Sequence, residues 1–169
     1  HDTKTGISEP QVAAACHAIL ELLSYMHERK IIHRDIKCDN VYITESGHVK
    51  IGDFGISTRL STSKQKCQTL MGSAYWIAPE VLSMNPYDEK ADIWSLGITA
   101  MEMVHSRPPH YEFTPYEAIS IIPLCPSPGL AHPEEHTDVF INFLELCLKK
   151  NPSERPTASQ LLQHGLFKK

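Results

Sequence analysis

No run of eighteen apolar residues occurs in the 169-residue chain, so no membrane-spanning helix is expected. Basic charge is not in excess either. Sixteen Lys and Arg stand against twenty Asp and Glu, a formal charge of −4 that helps solubility and gives no global pull toward nucleic acid. Cysteine is sparse and unpatterned. The five (Cys16, Cys38, Cys67, Cys125, Cys147) are odd in number and never form a C-x-x-C pair, which argues against a disulfide scaffold. A reducing, intracellular and cytoplasmic setting is the natural expectation. The amino end carries no signal-peptide pattern and opens on His1 rather than Met, so a fragment or a processed chain is expected. Internal repeats and a dividing linker are also lacking. What remains is ordinary for a globular protein: 41% hydrophobic and 21% charged, sized for one domain over residues 1–169. At that length folding buries roughly two-thirds of the unfolded surface.

Periodicity predicts a mostly helical chain. Val12, Cys16, Ile19, Leu23 and Met26 recur at helical spacing over residues 8–29, with Ser8 and Gln11 as a capping box. Arg29 and Lys30 suit the negative end of that helix. The apolar runs 41–44 and 49–51 flank Glu45-Ser46-Gly47-His48 and read as a small hairpin. Residues 52–73, rich in Ser, Thr and Gly, read as a long functional loop. A helix over 91–104 is apolar nearly all round, as a buried central helix is. Residues 107–133 hold seven of the twelve prolines and are expected to be loop, with a short helix near 116–122. Thr137 is placed to cap a helix whose inner face is Phe140, Phe143, Leu144 and Cys147. Thr157 and Gln160 open a last helix expected to end near Gly165.

Three motifs follow in order. His33-Arg34-Asp35-Ile36-Lys37-Cys38-Asp39-Asn40 lies between the first helix and the hairpin, Asp53-Phe54-Gly55 follows the hairpin, and Ala78-Pro79-Glu80 closes the Ser/Thr-rich loop. The order resembles the H-R-D-x-x-x-x-N, D-F-G and A-P-E set of the protein kinases. The resemblance covers nearly the whole chain and implies a fold class that is mainly α with a small β-hairpin, the large carboxyl-terminal lobe of the kinase-like α+β fold. The implied chemistry is transfer of the ATP γ-phosphate to protein Ser or Thr hydroxyls, in intracellular signalling. Such a transition state spreads negative charge over phosphate oxygens, so positioning and neutralisation are what the residues must supply. Asp35 fits the carboxylate that orients the hydroxyl and takes its proton. Lys37 can place a positive charge on the transferring phosphate. Asp53 and Asn40 offer hard oxygen ligands suited to Mg²⁺.

Gly72-Ser73-Ala74-Tyr75-Trp76-Ile77 and Ala91-Asp92-Ile93-Trp94-Ser95-Leu96-Gly97 are similar to the sterile-twenty group of serine/threonine kinases, best to its germinal-centre branch. The likeness implies that Val41, Tyr42 and Ile43 floor the adenine site, with Tyr42 replacing the usual aliphatic residue. It implies that Asp92 holds the catalytic loop's backbone and that Glu80 and Arg155 form a structural ion pair. His33 reads as a packed core histidine, and Phe54 and Gly55 as structural members of their motif. Thr69 matches the group's activating phosphorylation position, modified by an upstream kinase or by self-phosphorylation, with Arg34 gripping the phosphate through a charge-assisted fork. Ser57, Thr58, Ser61, Thr62 and Ser63 read as ordinary loop residues. His132-Pro133-Glu134-Glu135-His136 satisfies a zinc-peptidase pattern, but Pro133 and its neighbours favour a loop over the stable helix such ligands need.

The sequence contains no glycine-rich phosphate loop, strand lysine in a V-A-I-K context or partner helix glutamate. Only 32 residues precede His33, so the chain is expected to begin after the hinge between lobes and to be weak or inactive alone. A second reading follows from that lack: a truncated, non-catalytic lobe that binds substrates or kinases.

Overall fold

The computed structural model describes residues 6–60 and 66–168, so Ser61, Thr62 and Ser63 lie outside the described residues. Helix α1 (Glu9–Glu28) starts where expected, with Ser8 as N-cap and the Gln11 side-chain oxygen accepting the Ser8 N–H at 3.0 Å. Its inner face is Val12, Ala15, Cys16, Ile19, Leu20, Leu23 and Met26. At its other end the Arg29 guanidinium stacks on Tyr25, 3.5 Å from the ring centroid, and donates to the Tyr25 carbonyl at 3.1 Å.

Strand β1 (Ile31–Ile32) follows, then a 3₁₀ turn at Cys38–Asn40 and the hairpin of β2 (Val41–Ile43) and β3 (Val49–Ile51). The hairpin is antiparallel with Val41 opposite Ile51, and Gly47 takes a positive φ of 79° in its connection. One expectation is corrected here. Residues 52–73 are not all loop, because β4 (Thr58–Arg59) pairs antiparallel with β1, and Cys67 forms an isolated bridge with Tyr87. Two-residue strands show no alternation in sequence, so neither pairing has a local signal.

After the short helix α2 (Pro79–Leu82) comes α3 (Lys90–His105), buried at every position from Ala91 to Met101. This is the predicted central helix, and α1 and α5 (Asp138–Cys147) both pack on it. Helix α4 (Pro115–Ile121) lies within the proline-rich stretch, capped by Thr114 and Glu117. Thr137 caps α5 through the Phe140 N–H, and the buried face is Phe140, Phe143, Leu144 and Cys147 as the spacing predicts.

The last helix is shorter than expected. Helix α6 (Ala158–Leu161) keeps its Thr157–Gln160 capping box but stops well before Gly165. His164 leaves helical geometry at ψ 150°, and its Nδ1 accepts the Leu166 N–H at 3.2 Å, opening a separate 3₁₀ turn over Gly165–Phe167. Among the described residues the fold is therefore mainly α with two small two-stranded sheets. The His132–His136 pattern sits on a 3₁₀ turn at Pro133–Glu135. His132 and His136 there face Glu134 and Glu9, at 3.4 and 3.6 Å, rather than sharing a helix face.

Candidate active site

The site is built on one buried carboxylate. Asp92, in the first turn of α3 and 0% exposed, accepts the backbone N–H groups of His33 at 2.9 Å and Arg34 at 2.8 Å. It also meets His27 Nε2 of α1 at 2.8 Å. Burial pushes its acid up, but the His27 contact and the two backbone donors outweigh this and hold it below the usual carboxylate range. Three elements are thus pinned by one side chain, and the His33–Asp35 backbone is fixed although Arg34 sits at φ 72°. His33 is fully buried, with its ring 4.9 Å from that of Phe54.

Asp35 is 8% exposed and sits in a polar network. Its Oδ1 accepts from Ser73 Oγ at 2.7 Å, and its Oδ2 accepts from Asn40 Nδ2 at 3.0 Å. Lys37 Nζ donates to Ser73 Oγ at 2.7 Å and lies 3.5 Å from Asp35 Oδ2. Ser73 reaches this network because the chain bends at Gly72, where φ is +121° and a Cβ would stand 2.8 Å from the Arg34 carbonyl oxygen. Only glycine tolerates both conditions.

The hairpin carries the chain away from Asn40 and brings it back. Gly52 N–H donates to the Asn40 carbonyl at 2.9 Å, so Asn40 and the adjoining Asp53 stand at the same end of β2 and β3. The Asn40 amide nitrogen is committed to Asp35, through the carbonyl at 2.8 Å as well as the carboxylate, which orients its oxygen as the free acceptor. Asp53 is exposed at φ 56°, its Oδ1 accepting the Gly55 N–H at 3.1 Å. One amide oxygen and one exposed carboxylate fit Mg²⁺, which takes one or two protein oxygens and fills its octahedron with water and phosphate. Beside them Val41 is half-buried, while Tyr42 and Ile43 are 54% and 74% exposed. The Tyr42 ring lies over Gly52, where a Cβ would come within 2.7 Å of it.

Further from the carboxylates, Glu80 and Arg155 form a buried bidentate pair at 2.6 and 2.7 Å. Arg155 Nε and its remaining Nη hydrogens go to the carbonyls of Lys149, Lys90 and Lys150, so all five donors are used. Thr69 is exposed, and the Arg34 guanidinium donates to the Ile56 carbonyl at 2.6 Å and is linked to the Thr69 carbonyl through the Tyr87 hydroxyl. Three residues went unnoticed in the sequence. His27 continues the buried face of α1, so a titratable group on an apolar stripe was the available signal. Glu102 Oε2 accepts the Cys38 N–H at 3.1 Å and Trp76 Nε1 at 3.0 Å, linking the loop of Asp35 to the segment of Ser73. Its signal was a second acid, in the last turn of the largely apolar helix α3. Tyr87 has none.

Comparison with known proteins decides the family. The protein kinase domain family matches residues 1–167. The chain belongs to it. This kinase chain is 47% identical over 158 residues to serine/threonine-protein kinase dst1 of Dictyostelium discoideum, covering 94% of the chain and 21% of the relative. It is 43% identical over 169 residues to serine/threonine-protein kinase 10 of Xenopus tropicalis, covering 97% of the chain and 18% of the relative. Serine/threonine-protein kinase dst4 of Dictyostelium discoideum is 44% identical over 167 residues, with 34% of its length covered. These relatives are serine/threonine kinases of the sterile-twenty group, and the kinase chain spans about a fifth of the first two.

Proposed function

We propose that the chain is the catalytic lobe of an ATP-dependent serine/threonine protein kinase acting in cytoplasmic signalling. The observation that carries this reading is the network of Asp35, Lys37, Asn40 and Ser73 standing beside the Asn40–Asp53 end of the hairpin. Asp35 orients a substrate Ser or Thr hydroxyl and takes its proton. The hydroxyl oxygen then bonds to the γ-phosphorus, and the bond from that phosphorus to the β–γ bridging oxygen breaks, leaving ADP. Lys37 balances charge on the moving phosphate, and Ser73 holds both groups in register. Asn40 and Asp53 would hold Mg²⁺, which supplies charge neutralisation to the phosphates. Val41, Tyr42 and Ile43 are the surface for the adenine ring.

Thr69 is the phosphorylation site in this reading, modified by an upstream kinase or by the protein itself, with Arg34 as the receiving cation. Phe54, Gly55 and His33 shape the loop ends, while Glu80, Arg155 and Asp92 hold the lobe. The test is transfer of labelled γ-phosphate to a generic basic protein by the full-length protein, purified free of other kinases. Asp35→Ala is expected to lower turnover by about 10²–10⁴-fold, and Asp53→Ala to abolish measurable transfer. Full activity in both variants would overturn the assignment and leave the non-catalytic binding lobe as the reading.

A further inference from the structure

Tyr87 stands between α2 and α3, outside every motif of the site, and is 2% exposed. Its backbone forms both hydrogen bonds of the bridge to Cys67, N–H to carbonyl at 2.8 and 2.9 Å. Its side chain reaches two further groups. The hydroxyl donates to the Thr69 carbonyl at 3.0 Å and accepts a long bond from Arg34 Nη1 at 3.4 Å. Burial raises the phenol above its ordinary range, with Arg34 opposing, so at neutral pH the group remains a neutral donor. The next residue, Asp88, lies 3.6 Å from Lys66 Nζ. Between Lys66 and Thr69 the segment is therefore fastened at three successive points to residues 87 and 88.

We propose that Tyr87 is a positioning residue whose hydroxyl joins Arg34 to the Thr69 backbone, tying the regulatory segment to the catalytic loop before Thr69 is phosphorylated. The inference rests on the kinase reading for its functional meaning, and on the geometry alone for the tie. The Arg34 backbone is fixed by Asp92, and its Nε is fixed by the Ile56 carbonyl, so one end of the link is rigid. Removing the hydroxyl leaves the Thr69 carbonyl and an Arg34 guanidinium N–H without this partner, while the aromatic ring still fills its place. A phosphate on Thr69 would then add to an arrangement already formed and would replace the hydroxyl as the partner of Arg34.

The experiment compares the full-length protein, dephosphorylated, with its Tyr87→Phe variant. Amide hydrogen exchange reads the tie without any activity. Peptides covering residues 66–70 are expected to exchange about tenfold faster in the variant, and those covering residues 96–101 of α3 at the same rate. Turnover of the dephosphorylated variant is expected to fall about tenfold with the KM for ATP unchanged. Stoichiometric phosphorylation of Thr69 is expected to restore it. Unchanged exchange at 66–70, or an increase spread equally over α3, would overturn the proposal. Loss of transfer in Asp35→Ala tests the kinase reading separately, so either one can fail without the other.

Discussion

Asp92 shows how much one side chain can organise. A carboxylate at 0% exposure is costly unless its lone pairs are filled. Here two backbone N–H groups and an imidazole fill them, and those donors belong to α1 and to the loop carrying Asp35. Its acid is held below the value near 4 that an unfolded Asp shows. A depressed folded value means that the contribution to stability is fully present above the unfolded value and is lost as pH falls through the folded one. Denaturant midpoints of the wild type are therefore expected to drop steeply below about pH 4. Asp92→Asn should start lower at pH 7 and decline less over the acid range. Parallel declines in the two proteins would show that the carboxylate is not what titrates. The sequence displayed this residue plainly, since an acid among Ile93, Trp94, Leu96 and Ile98 has no polar face to join. Its pairing with His27, 65 positions away, left no trace in the sequence, although a histidine on the apolar face of α1 was visible there.

At the scale of elements, the hairpin does the positioning and Gly52 sets its fit. Gly52 does not have a positive φ, so backbone freedom is not the reason for glycine there. The reason is the Tyr42 ring, which occupies the space a Cβ would need. Gly52→Ala is expected to swing that half-exposed ring outward at a stability cost below about 1 kcal/mol. Its effect should appear instead as weaker ATP binding by the full-length protein, measured by calorimetry. Unchanged affinity would mean that the Tyr42 ring does not set the adenine surface. Elements with strong periodicity or a capping box were legible, as α1, α3 and the inner face of α5 show. The β1–β4 pairing was not, because two-residue strands alternate too briefly and Ile31 and Arg59 are distant in sequence. The end of α6 was not legible either. It depends on His164 turning its ring nitrogen to Leu166, a choice made by side-chain geometry and not by composition. The three motifs were readable because each is a contiguous run of residues in the chain. The contacts of Glu102 and Tyr87 were not, because they exist only once distant segments meet.

Over the whole molecule, polar groups gather around the buried α3, and the large apolar side chains left on the surface include three on or next to the hairpin, besides others such as Tyr116 and Leu124. Tyr42, Ile43 and Phe54 are 54%, 74% and 49% exposed; Tyr42 and Phe54 lie toward the Asn40–Asp53 end of β2 and β3, and Ile43 stands at the turn end opposite Val49. Singly exposed apolar residues need no explanation, but three on and beside one small hairpin mark a surface built to be covered. A planar base covers part of it in the proposed reading. The 169-residue chain by itself is expected to bind a hydrophobic dye such as anilinonaphthalene sulfonate in its folded state. Replacing Tyr42 and Ile43 together by Ser should remove more than half of that fluorescence while leaving the urea midpoint nearly unchanged, because neither side chain is in the core. If dye binding persisted in the double variant and its midpoint fell, the fluorescence would come from a loosened core instead. The exposed face would then not be the feature that distinguishes this lobe.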